Sequence, residues 1–172
     1  MIDRDPLHLH PSARVLMFRH QEEAKRRLGV RTTCIETWRD PARQDLAFAA
    51  GLTDKRAGGS HHNITGPAGE PASCGYHLAI DPDGPLIIGF GSHLIHPAGC
   101  RTIPVHMGNH GVKDLSPEEL QYVSLGLIGE ELGLTSGMRW NVRGRGPDWT
   151  DFQITAPLSH IVAQIAAGKI LA

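Results

Sequence analysis

Apolar positions along the chain switch between helical and extended spacing, and the switches outline the elements. Over 11–28, Ala13, Met17, Ala24 and Leu28 share one helical face. Ser12 offers a cap, Lys25, Arg26 and Arg27 complement the C-terminal dipole, and Gly29 stops the helix. VRTTCIET (30–37) is β-branched and predicts a strand. Asp40-Pro41 then supplies an N-cap with proline at the first helical position, for a second helix ending near Ala50 and Gly51.

Residues 52–75 lack periodicity and predict a loop. YHLAID (76–81) alternates, with Tyr76, Leu78 and Ile80 on one face and His77, Ala79 and Asp81 on the other. PLIIGF (85–90) predicts a short apolar strand, and 91–115 is irregular. Ser116-Pro117-Glu118-Glu119 forms a capping box for a helix through Leu120, Val123, Leu127 and Leu132, stopped by Gly133. GMRWNVRGRGPDW follows as loop, DFQIT (151–155) as strand, and 157–167 as a small helix. Few, separated strands among helices predict the α+β class: a small antiparallel sheet flanked by helices. We expect a single domain over 1–172, with its core at about 12–155 and the helix at 157–167 beyond it.

Composition narrows the function. Apolar residues make up 40% and charged residues 20%, and the net charge is −1. A balanced charge gives no footing for nucleic acid, whose phosphates call for a basic surplus. No apolar run reaches the length of a membrane span, and MIDRDPLHLHPS has no signal-peptide core, so synthesis in a cytoplasm is expected. Three cysteines (Cys34, Cys74, Cys100) are too few for a disulfide scaffold and favour free thiols; Cys34, within a strand, is expected to be buried. Cys74 and Cys100 flank histidine-rich loops, which leaves a metal or redox role open to them.

Seven of the eleven histidines fall between 61 and 110. Histidine nitrogen and aspartate oxygen are normal zinc ligands, and a catalytic zinc takes three protein ligands plus a water. His62, after a glycine turn, and Asp81, on the polar face of an apolar strand, are therefore candidates. The plainer alternative is a solvated loop histidine and a strand-end aspartate. HLIHPAGCRTIPVHMGNH (93–110) holds His-x-x-His, a cysteine and His-x-x-x-His; it reads as a second zinc site, a groove lining or an exposed loop. Trp140 and Trp149 read as core or rim packing rather than sugar stacking, and RGRG (143–146) as a solvated turn rather than a contact to an acidic polymer. Neither Gly-x-Ser-x-Gly nor a phosphate-binding glycine loop occurs.

The order of several segments carries more. ETWRDPARQDLAFAAG (36–51), GGSHHN (58–63), HLAID (77–81), GLIGEELGL (126–134), GMRWN (137–141) and DWTDFQI (148–154) together resemble the zinc D-alanyl-D-alanine carboxypeptidases and L-alanyl-D-glutamate endopeptidases. That family includes VanY-like enzymes and many phage endolysins. The matching positions are Arg39, Arg43 and Gln44 of its R-x-x-x-R-Q, Ser60 and His62 of Ser-x-His, Ala79 and Asp81 of Ala-x-Asp, and Asp148 of Asp-x-x-His. The resemblance implies an LAS-type metallopeptidase fold that cuts a peptide bond in the peptidoglycan stem. It implies zinc held by His62 and Asp81, Asp148 as general base, and Arg39 and Ser60 contacting substrate or its oxyanion.

Three departures stand out. ITGPAGEPASC (64–74) lengthens the interval between His62 and Asp81 and reads as an inserted loop. His77 stands where a glycine is usual. Asp151 stands where the family has its third zinc ligand, a histidine. Three outcomes are open: Asp151 ligates; another histidine (His77, His106, His110 or His160) completes the shell; or the site has lost its metal. A His62-Asp81-Asp151 shell would neutralise a divalent ion and tilt selectivity towards manganese or magnesium. The resemblance accordingly implies an endolysin or virion-borne wall peptidase acting at the bacterial cell wall. The alternative is an inactive relative that binds peptidoglycan or builds a phage virion alongside other virion proteins.

Overall fold

The computed structural model describes residues 2–81, 117–140, 148–169 and 171. Among them, four helices pack around a four-stranded antiparallel sheet of order β1-β2-β4-β3. The expected strand at 85–90, the irregular segment 91–115, the Ser116 cap and the RGRG turn lie outside the described residues.

α1 (Pro11–Leu28) buries Ala13, Met17, His20 and Ala24, one stripe at helical spacing. Its cap is not Ser12. The His10 ring accepts from the Ser12 N–H, Pro11 takes the first helical position, and the Ser12 hydroxyl donates to the Leu171 carbonyl. β1 (Arg31–Glu36) and α2 (Pro41–Ala49) follow, the latter capped as expected by Asp40, whose carboxylate accepts from the Arg43 N–H at 3.0 Å. β2 (Gly75–Asp81) pairs with β1 from Arg31↔Asp81 to Glu36↔His77, with an irregularity between Cys34 and Glu36.

α3 (Pro117–Glu131) departs from the expected single stripe. Gln121, Val123, Ser124, Leu125 and Ile128 are all buried, so most of its circumference is covered. Close packing sets this. A Cβ at Gly129 would lie 3.0 Å from the Phe152 ring and 3.1 Å from the His20 ring, so the helix approaches the sheet over a bare backbone. β3 (Leu134–Ser136) has three residues, too short to show alternation in sequence, and it pairs with β4 (Asp151–Ile154). α4 (Leu158–Ala166) docks through Ile161 and Ile165.

The main core gathers Leu9, Met17, Tyr76, Leu78, Leu125 and Phe152, and a smaller cluster holds Val123, Met138 and Trp149. Trp149 is thus a packing residue. Cys34 is half-buried and Cys74 fully buried, and burial pushes both thiols up to about 12, so they stay protonated.

His20 occupies the centre of this core. Its Nε2–H donates to the Leu125 carbonyl at 2.9 Å, leaving Nδ1 to accept from the Tyr76 hydroxyl at 3.3 Å. Burial lowers its pKa to about 4 against the opposing pull of the Leu125 carbonyl. The fold therefore favours the neutral ring. Its contribution is full above the ordinary value of 6.5 and is lost as pH falls towards 4, at 1.36 kcal/mol per pH unit. Urea unfolding of wild type and His20→Leu should show this directly. The stability of wild type relative to His20→Leu should fall by about 2–3 kcal/mol between neutral pH and pH ~4.5.

Candidate metal centre

Two backbone constraints aim the site. β2 pairs with β4 in the register His77↔Asp151, which sets these side chains side by side on one face of the sheet. The SHHN turn then brings His62 over them. Ser60 Oγ accepts from the His62 N–H, the His62 carbonyl accepts from the Arg39 N–H at 2.8 Å, and Asn63 Nδ2 donates to the Arg39 carbonyl. The Cys74 N–H donates to the His61 carbonyl, and the His61 ring reaches the Ala156 carbonyl at 3.2 Å.

The inserted loop closes on itself rather than spreading. The Ala72 N–H donates to the Ile64 carbonyl, and the Gly66 N–H to the Glu70 carbonyl, with Ile64 and Ala72 buried. The chain thereby returns to Gly75 directly beneath His62. A Cβ at Gly75 would lie 2.8 Å from His62 Nε2, so the imidazole seats only over glycine.

His62, His77 and Asp151 form a group that can hold a metal ion, with one ligand atom from each lying within 4.8 Å of the others. His62 and Asp151 are buried; His77 is largely so, its ring centroid 4.7 Å from that of His62. His62 Nε2 lies 3.0 Å from Asp151 Oδ1, and His77 Nε2 lies 3.8 Å from Asp151 Oδ2. Each is measured to a different carboxylate oxygen, and both lie near the ~3.4 Å expected between tetrahedral donors at bonds of about 2.1 Å.

The hydrogen-bond ledger points the same way. Thr150 Oγ1 has one proton and lies 3.0 Å from Asp148 Oδ1, which only accepts. The same hydroxyl lies 2.9 Å from His77 Nδ1, so it links that ring to Asp148. His77 Nε2 is buried without a hydrogen-bond partner, as is His62 Nδ1. Around His77 Nε2 stand two carboxylate acceptors, Glu36 Oε2 at 3.6 Å and Asp151 Oδ2 at 3.8 Å. Buried acceptors facing one another call for a shared proton or a cation.

The charges are arranged to match. Glu36 is gripped by the guanidinium of Arg39 and by Arg43 at 3.1 Å. Burial raises its pKa, but Arg39 and His77 outweigh that and hold it below the ordinary carboxylate value. Burial acts likewise on Asp151, and the His62 and His77 charges more than offset it, so its pKa is lowered. Burial lowers that of His62, but the Asp151 charge and hydrogen bond win and raise it. With Glu36 offset by the arginines, two neutral imidazoles and one carboxylate would leave a divalent ion one net positive charge. That set differs from the neutralising His62-Asp81-Asp151 shell.

The group forms the floor of a cleft of about 770 Å³, whose walls include Arg39, Ser60, His61, Trp140 and Asp148. Of the expected site residues, Arg39, Ser60, His62, Asp148 and Asp151 therefore meet in one cavity. The Asp81 backbone pairs with Arg31 at the other end of β2, four residues and roughly 13 Å of strand from His77. Its side chain lies outside the described residues, as do His106 and His110, while His160 is exposed on α4. His77, one of the alternative ligands, takes a place in the group, and Glu36 and Thr150 had no sequence signal. Alternation did put His77 on the polar face of its strand, the one clue available.

No protein-family model matches this chain, and no curated protein matches it in sequence.

Because His77 and Asp151 are cross-strand neighbours, the imidazole and carboxylate should be interchangeable. Titration with zinc against a chromophoric chelator is expected to give one site in the wild type. His62→Ala, His77→Ala and Asp151→Asn should each weaken it by about 100-fold or more, beyond the 10- to 100-fold typical of outer-shell losses. The double exchange His77→Asp/Asp151→His should recover most of that loss.

Proposed function

We propose that this protein is a metal-dependent hydrolase that cuts a peptide bond in the peptidoglycan stem, with zinc at His62, His77 and Asp151. One observation carries the reading: a buried cluster of acceptors, lacking a donor at His77 Nε2, on the floor of a cleft bordered by the carboxylate of Asp148. The resemblance of the ordered segments to LAS-type peptidases supplies the substrate class, and zinc suits two imidazoles with one carboxylate.

When bound, zinc supplies a positive charge that polarises a carbonyl and acidifies water. The chain's own residues do the rest. Asp148 has Oδ1 fixed by the Thr150 N–H and hydroxyl, and its side chain is 40% exposed towards the cleft, a placement that suits a proton acceptor from water. Ser60 Oγ accepts from the His62 N–H and keeps its own proton to donate to a substrate oxygen. Arg39 is engaged by Glu36 and, at 3.2 Å, by Gln44 Oε1. It therefore serves developing negative charge chiefly through its field, while its main chain clamps the turn that carries His62.

A second reading is favoured by the 3.0 Å His62–Asp151 contact and the arginine clamp on Glu36, which offset much of the site's charge without a metal. Under it the protein binds peptidoglycan without cutting, as a wall-binding or virion component.

Zinc-loaded protein incubated with purified sacculi should release new amino termini but no new reducing sugar ends, and chelation should abolish the release. Asp148→Asn should lower the rate by about 10²- to 10⁴-fold while zinc affinity is retained. Sedimentation with sacculi without new amino termini from any stem chemotype would establish the second reading.

A further inference from the structure

We propose that Thr150 is a positioning residue that fixes the tautomer of His77, so that the Nε2 lone pair faces His62 and Asp151. Donor counting carries the argument. Asp148 Oδ1 accepts from the Thr150 hydroxyl at 3.0 Å, which uses the only proton that hydroxyl has. His77 Nδ1, 2.9 Å from the same oxygen, must then be the donor. A neutral imidazole carries one proton, so His77 Nε2 is left as a bare lone pair.

The opposite tautomer would put an N–H at Nε2, facing Glu36 Oε2 and Asp151 Oδ2, and no lone pair would be offered to a cation. Thr150 is itself held at two further points. Its N–H bonds Asp148 Oδ1 at 3.3 Å, and its carbonyl accepts from the Leu78 N–H at 2.9 Å. The hydroxyl is thus carried on a backbone anchored to β2, one residue past His77. The same bonds join His77 to Asp148, the proposed proton acceptor, so ligand and base are held by one side chain.

The consequence for metal affinity rests on the metal-centre reading; the tautomer does not. Long-range nitrogen–proton NMR on labelled, metal-free protein at alkaline pH, where the imidazoles are neutral, reads the tautomer alone. Wild type and Thr150→Ser should show His77 protonated at Nδ1, and Thr150→Val should move it towards Nε2–H. Thr150→Val keeps both backbone bonds and the shape of the side chain, and a second variant, Thr150→Ala, serves if it fails to fold. Zinc affinity should fall about 10- to 100-fold in Thr150→Val and return in Thr150→Ser. An unchanged tautomer in both variants, or Nε2–H already present in wild type, overturns the proposal. A shifted tautomer with no zinc bound by any form leaves the positioning role of Thr150 standing and removes the metal reading instead.

Discussion

The site depends on the register between β2 and β4. Tyr76 faces Phe152 and His77 faces Asp151, so two adjacent rungs of one ladder do opposite work. On the inner face the Tyr76 and Phe152 rings stack at 5.9 Å, and His20 sits edge-on to Phe152 at 4.5 Å. On the outer face the imidazole and carboxylate lie against the cleft. A slip of one residue would send His77 into the apolar core and Tyr76 to the cleft. The large energy of aromatic burial thus enforces a polar arrangement that would not hold itself together.

That arrangement is expensive in isolation. Asp151 and Glu36 are both buried, and each needs a counter-charge. Glu36 has the two arginines that open and follow the Asp40-Pro41 cap, so the helix start that orders α2 also delivers a neutralising clamp. Asp151 has His62 on one oxygen, while its other oxygen lies 3.8 Å from His77 Nε2, which has no hydrogen-bond partner. That gap is where the group of His62, His77 and Asp151 could hold a metal ion.

Loop closure is what makes the cleft local. Ser60, His61 and His62 come from a turn that three separate backbone segments hold: the start of α2, the residue before β2 and the stretch after β4. The long interval between His62 and β2 costs little, since the extra residues pair with one another and return the chain to Gly75.

Much of the architecture was legible in order along the chain. Asp40-Pro41 and Gly133 announce helix ends through capping chemistry that needs no tertiary partner, and the alternation of YHLAID announces β2 with His77 on its polar face. Local rules were silent wherever a partner decided the outcome. Ser12 has the chemistry of a cap, but the His10 ring, held by neighbouring segments, takes that role. β3 exists because β4 lies beside it, not because three residues prefer to be extended. The sequence by itself determined the α+β class, the helix ends and a pool of chemistry-bearing residues that includes His62, Asp148 and Asp151. Only the tertiary structure decided that His77 and not a more distant residue joins them, because cross-strand pairing is a non-local contact. It also decided which nitrogen of that ring faces Asp151, because the Thr150 hydroxyl that meets Nδ1 is brought there by pairing between distant segments.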